Sequence, residues 1–394
     1  MNSTIENAIR KHLKYISEEI GIRPAGSDTD HKLTDYVAAA FARYDLQVEE
    51  QSFPCPRWQW QQAELHIGGL KLQPRANTYS PPADFEAAFV PLGTLDELQQ
   101  ADLSGKIALL YGDLTAEQLF PRQFKYVTIE KHNTIINLLE AGQPAAIITV
   151  TADLARLLPI IEDWDFSIPS MTVNAHDGLK LMQNQEKEIL FRLETTRTES
   201  LSANIRGLTI PAQARRILIF AHSDSYHGSP GLLDNGSGVA ALLALAERLS
   251  KSNLPIGIEF LTINGHDSNG LGADAYFESS SDPYAGLAAV INMDSIGHIL
   301  APNAVSLFNF EDSLQEHIHS EIKRYSDLLP GEPWFYGEHV VFVQQGIPVM
   351  AVYPQGFPNL THTAQDTLEW LDVERISRVV SFVESVIKHL AHTL

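Results

Sequence analysis

Seven side chains in the second half of the chain have the types and spacing for metal-assisted hydrolysis. His222 and Asp224 follow the apolar run ILIFA, and Asp234 opens the segment DNGSG. His266 and Asp267 come just after IEFLTIN, Asp294 after AVIN, and His362 after PVMAVYPQ and its loop. Each arrives where a buried strand is expected to end or a helix to begin. A parallel sheet aligns such strand ends along one edge, so these side chains can converge. Two imidazoles and three carboxylates suit zinc or another borderline divalent ion. Two ions sharing one carboxylate would sit about 3.5–4 Å apart and activate a water between them. Each residue taken singly has a plainer explanation. A strand-end Asp is ordinarily a cap or turn residue, and a lone His is more often packed and hydrogen-bonded than a ligand. The recurrence at four strand ends favours the metal site.

The elements that must carry these residues can be read from periodicity. From Ala203 onward strands and helices alternate in βα order. Strands are expected at 217–221, 256–263, 288–292, 305–310 and 349–352, and helices at 236–249, 274–279, 313–326 and 373–390. Two further helices are expected at 5–20 and 29–44, joined by the turn GIRPAGSDTD and followed by the strand VEEQSF. Between about Trp58 and Arg197 the texture changes. Short β-like runs (AELHI, EAAFVPLG, KIALLYG, AAIITVT, PSMTVN, EILFRLE) are separated by turn signals, with helix-like runs at 128–141 and 178–183. A small β-rich domain, residues 58–197, is therefore expected as an insertion into a main α/β domain formed by 1–57 and 198–394.

A chain of 394 residues can hold two cores. Its net charge of −21 argues against nucleic acid and against an anionic membrane surface. The one cysteine, Cys55, permits no intramolecular disulfide and reads as a packed residue. The N-terminus reads as an amphipathic helix rather than a signal peptide, and no run of 18 or more apolar residues is present. A cytoplasmic location is the expectation; the oligomeric state is not readable.

The second half resembles the zinc-dependent aminopeptidases of the aminopeptidase Y and bacterial secreted leucyl aminopeptidase type. That family also contains glutamate carboxypeptidase relatives. The resemblance is carried in order by AHSDS, PGLLDNGSGVAALLALA, HDSNGLGADAYF, INMDSIG, GIPVMAVY and THTAQDTLEWLD, and by IGIRPAGSDTDHKLTDYVAAAF near the N-terminus. Through DLSGKIALLYGD, AGQPAAIITV and IPSMTVN the inserted region resembles a protease-associated domain. The resemblance implies a zinc-exopeptidase-like three-layer α/β sandwich with a mixed, mostly parallel sheet. It also implies two zinc ions, with one ion or another divalent metal as alternatives. His222 and Asp294 would be terminal ligands of one ion, Asp267 and His362 ligands of the second, and Asp234 the bridging carboxylate, with a peptide bond to Asn235 that is often cis. Asp224 would accept from the His222 ring and fix its tautomer, and Asp366 would act similarly beside His362. Glu338 and His339 match a supporting Asp-His pair and are expected at the substrate site. Thr361 stands where relatives carry an oxyanion-stabilising Tyr, with Tyr336 as a weak substitute.

One departure bears on mechanism. The family carries two consecutive glutamates where this chain has His266-Asp267. The first glutamate is the general base and the second a ligand. His266 can serve as the base, since an unperturbed imidazole pKa of about 6.5 suits proton transfer near neutrality. It can instead be a third imidazole ligand, or the site can have lost activity. The expected reaction is hydrolysis of N-terminal peptide bonds. The alternatives are a degenerate scaffold that binds peptides or partners, and hydrolysis of a small acylated amide.

Overall fold

In the computed structural model the residues described are 2–122, 129–153, 156–209, 215–356 and 360–394. Thr128, expected at the start of a helix, and part of the loop after PVMAVYPQ lie outside them. The chain forms two compact units, Met1–Cys55 with Ser200–Leu394, and Pro56–Glu199. It passes between them along two long strands, Gln47–Ile67 and Ile189–Leu208.

The first unit is built on a mixed sheet. Strand Arg216–His222 is central, with Gly257–Ile263 parallel on one side and Leu287–Met293 parallel on the other. Val349–Pro354 adds in parallel beyond Leu287–Met293, and Asn303–Phe308 pairs antiparallel with it. The C-terminal part of Ile189–Leu208 runs antiparallel to Gly257–Ile263. Successive strands thus leave Arg216–His222 in opposite directions, a topological switch point, where open α/β sheets place their ligands.

Alternation along that strand explains the layers. Ile217, Ile219 and Ala221 join a core with helices Asn2–Tyr15, Ser237–Leu249 and Val373–Thr393, while Leu218 and Phe220 face a second core with Tyr276, Phe342 and Val349. Burying helices on both faces leaves the strands almost wholly apolar, which is why they read as continuous hydrophobic runs. Among the polar residues they do contain is Glu259, fully buried between Arg206 Nε at 2.7 Å and Arg216 Nε at 2.5 Å, so its charge is paired on both sides.

The second unit contains a sheet in the order Arg75–Ala76, Ser170–Val173, Ala146–Val150, Ile107–Leu110, Phe89–Leu92, parallel through its last four strands. Helices Leu95–Gln100, Glu130–Gly142 and Ala175–Met182 accompany it. EAAFVPLG, read as one strand, is two: Ala83–Ala87 pairs with Ile189–Leu208, and Phe89–Leu92 enters the other sheet. Among the described residues no helix is long and apolar enough to cross a membrane.

Candidate metal centre

Four strand ends and one helix start meet at the switch point. His222 is the last residue of its strand, Asp294 follows Met293, and Asp267 lies four residues beyond Ile263. His362 follows strand Val349–Pro354 through its loop and takes a left-handed backbone, φ 65°. Asp234 precedes helix Ser237–Leu249, and its peptide bond to Asn235 is cis.

The DNGSG sequence is explained by what surrounds it. Asn235 donates from Nδ2 to Met293 O at 2.9 Å, and its Oδ1 accepts from Gly238 N at 3.0 Å and Ser295 N at 3.1 Å. A Cβ on Gly238 would stand 2.2 Å from that Oδ1 and 2.6 Å from Met293 O, so only glycine fits. Asn235 therefore ties the Asp234 turn to the Asp294 strand end.

Asp234 is the centre of the cluster. Its Oδ1 lies 3.0 Å from His222 Nε2, and its Oδ2 lies 3.3 Å from His362 Nε2. His222 Nε2 is also 3.7 Å from Asp294 Oδ1, and His362 Nε2 is 3.3 Å from Asp267 Oδ1. One carboxylate thus joins two imidazole–carboxylate groups. Ligands at zinc distances of about 2.0–2.1 Å in a tetrahedron stand roughly 3.3 Å apart. The separations here bracket that value, so the donor set fits divalent cations. Asp267 Oδ2 is buried with no hydrogen-bond partner, as an oxygen meant for a cation would be.

The electrostatics agree. Burial works against the His222 and His362 imidazoliums, yet the surrounding carboxylates hold both well above the usual histidine range. Burial likewise opposes the Asp234 carboxylate, and the two rings hold it well below the ordinary value. Protons on the rings stand in for positive charge that the carboxylates require.

The supporting residues differ from expectation. Asp224 does not hydrogen-bond the His222 ring: its Oδ1 is 3.6 Å from Nδ1, which has no hydrogen-bond partner. Its two oxygens instead accept the backbone N–H groups of His266 and Asp267, each at 3.0 Å. Asp366 does not support His362 either. It accepts from Leu233 N at 2.6 Å and Asp234 N at 3.0 Å, bracing the central carboxylate's backbone. The ring stacked on His362 is Tyr226, 4.4 Å away.

Glu338 and His339, expected to meet substrate, are used internally. Glu338 Oε1 lies 2.6 Å from His266 Nδ1. His339 is fully buried, with Nε2 2.8 Å from Trp334 O and Nδ1 3.2 Å from Asn292 Nδ2, so neither nitrogen is left for substrate. Thr361 is half-buried beside His362, and Tyr336 is exposed. His266 stacks on His222 at 4.2 Å, and the donor atoms of His222, His266 and Asp294 lie within 4.8 Å of one another.

Arg23 was not anticipated. Fully buried, it donates to Ser223 O at 2.7 Å, Pro230 O at 2.7 Å, Gly231 O at 2.8 Å and Gly21 O at 3.2 Å. It fastens both ends of the loop between His222 and Asp234; burial pulls its pKa below the usual arginine value, partly offset by the carboxylates of Asp366, Asp224, Asp267 and Asp234. Its only sequence signal was the polar GIRPAGS turn between two amphipathic helices.

A switch-point cluster of this kind, on a mixed sheet between two helix layers, defines a metal-dependent hydrolase of the zinc-exopeptidase type. Residues 204–387 match the family model of Peptidase family M28. Aminopeptidase YwaD of Bacillus subtilis (strain 168) is 26% identical over 396 residues, covering 95% of this chain and 82% of that protein. BSAP, a zinc aminopeptidase from Bacillus subtilis, has the same fold with a TM-score of 0.80 at 22% identity, over 98% of this chain and 95% of that one. The aminopeptidase from Aneurinibacillus sp. strain AM-1 aligns with a TM-score of 0.77 at 23% identity, over 97% and 93%. The site-bearing residues 204–387 match Peptidase family M28, and the protein is zinc-aminopeptidase-like in sequence and fold.

Proposed function

We propose that the protein is a metal-dependent aminopeptidase that removes residues from the N-termini of peptides. The observation that carries this reading is Asp234, whose two oxygens face His222 and His362 separately. His222 and Asp294 would hold one divalent cation, Asp267 and His362 a second, and Asp234 both, with zinc the best match to two imidazoles and three carboxylates. Such cations polarise a scissile carbonyl and make water a nucleophile near neutral pH.

The rest falls to the chain's own residues. His266 is half-buried against His222 and is the residue to take a proton from water and return it to the leaving amine. Asp224 keeps the His266-Asp267 backbone in place, and Asp366 and Asn235 keep Asp234 in place. The surplus of buried carboxylate gives the cationic N-terminus of a substrate a partner. The unit Pro56–Glu199 is read as a protease-associated-like insertion.

A second reading has one observation in its favour. The donor atoms of His222, His266 and Asp294 lie close enough to share a cation, so His266 would be a third imidazole ligand. Metal analysis with absorption spectroscopy of the bound zinc separates the two. Two zinc ions per chain, with one imidazole on each, supports His266 as base. Two imidazoles on one ion supports His266 as ligand, and no zinc bound refutes both in favour of a scaffold.

A further inference from the structure

We propose that Glu338 is a positioning residue for proton transfer, holding His266 in the one ring orientation and tautomer in which Nε2 is free to accept a proton. The inference rests on His266 being the base of the proposed hydrolysis. Its carboxylate is supplied from another element, 72 residues along the chain, at the N-terminus of helix His339–Gln344.

Three constraints fix His266. Its backbone N–H is held by Asp224 Oδ1 at 3.0 Å. Its ring lies against His222, centroids 4.2 Å apart and planes 26° from parallel. Its Nδ1 meets Glu338 Oε1 at 2.6 Å, a charge-assisted hydrogen bond in which Nδ1–H donates. Glu338 is itself buried, its side chain 7% exposed, so the bond is sheltered from water while the ring keeps one open edge, 26% exposed. With Nδ1–H committed to Glu338, the base form of the ring carries its lone pair on Nε2.

The proton balance is simple. Nε2 takes a proton as a water O–H bond breaks and the oxygen bonds the peptide carbonyl carbon. The same proton then passes from Nε2 to the departing amine nitrogen as the C–N bond breaks. Glu338 stays ionised throughout and steadies the transient imidazolium. Where the resembling family places one carboxylate at this position, this chain divides the task. The imidazole moves the proton, and the carboxylate aims it.

The test is a double-mutant cycle on zinc-loaded protein with a peptide substrate, measuring kcat and KM separately. Glu338→Gln is expected to lower kcat about 10- to 100-fold with KM changed less than about threefold. Made on top of His266→Glu, the same change should cost at least about tenfold less, because no ring remains to aim and two facing carboxylates repel. An equal cost in both backgrounds overturns the proposal and makes Glu338 a packing residue. A kcat unchanged by Glu338→Gln while His266→Gln abolishes turnover also overturns it, leaving the base assignment intact. Full turnover by His266→Gln refutes the base assignment itself. A readout independent of turnover is 15N NMR of the histidine rings in unsubstituted zinc-loaded protein. Protonated Nδ1 with bare, metal-free Nε2 on His266 supports the proposal, and the opposite tautomer overturns it.

Discussion

Replacing Asp224 perturbs the site without removing any proposed ligand. The fully buried carboxylate accepts two backbone N–H groups, from His266 and Asp267, at 3.0 Å each. A hydrogen bond to a charged acceptor contributes about 1.5–3 kcal/mol, and an orphaned buried donor costs about 1–3 kcal/mol. Asp224→Ala leaves both amides unpaired, so the unfolding free energy should fall by about 3–5 kcal/mol. Asp224→Asn keeps one acceptor and sets an amide N–H against the other donor, for a loss of about 2–3 kcal/mol. Freed of the anchor, His266 and Asp267 lose their common position, and a displacement of about 1 Å at such groups lowers turnover about 100-fold. Urea unfolding of each variant, paired with kcat for a peptide substrate, measures both effects. A loss under about 1 kcal/mol for Asp224→Ala, with kcat unchanged, would refute the anchoring argument.

Other outcomes follow from the same structure. Arg23→Met removes a buried cation from four carbonyl acceptors and should destabilise by about 3–5 kcal/mol in thermal or urea unfolding. Burial lifts Asp30 from 3.8 to about 6, so its share of stability is full below the unfolded value and lost as pH rises through about 6. Between pH 4 and 7 the stability difference should therefore move in favour of Asp30→Asn by about 2.5 kcal/mol, read from urea unfolding across that range. His12 has the opposite sign. Burial lowers it from 6.5 to about 4, so its contribution is present above 6.5 and lost on acidification, by about 3 kcal/mol at pH 4. His12→Gln should flatten that acid limb. Zinc at 100 times its dissociation constant should raise the unfolding free energy by about 2.7 kcal/mol per site, seen as a higher melting temperature that chelation reverses and Asp234→Asn abolishes.

The fold class was legible because the central strands are buried on both faces and so read as unbroken apolar runs ending in His or Asp. ILIFAH is the clearest: Ile217, Ile219 and Ala221 face one core, Leu218 and Phe220 the other. Other features were not legible, for identifiable reasons. Gln47–Ile67 mixes buried, half-buried and exposed residues without a regular period, so only its two ends, VEEQSF and AELHI, read as strands. Helix Leu95–Gln100 is six residues long, too short for a period, although its capping box of Thr94 and Glu97 was a usable signal. In the site, strand-end residues could be picked out by local pattern, but the partners of their supporting residues could not. Glu338 reaches His266 across 72 positions and Arg23 reaches Ser223 across 200, pairings that exist only in the folded topology. Asp224 shows the limit best. Its type and place beside His222 suggested a bond to that ring, whereas the turn after the adjacent strand offered two backbone donors in better geometry.

The most direct measurement is mass spectrometry of a mixed peptide pool incubated with zinc-loaded protein, beside a chelated control. The account predicts ladders lacking successive N-terminal residues, present with zinc and absent after chelation. No cleavage with zinc, cobalt or manganese would contradict it and leave the cluster as a binding site or a site for another amide.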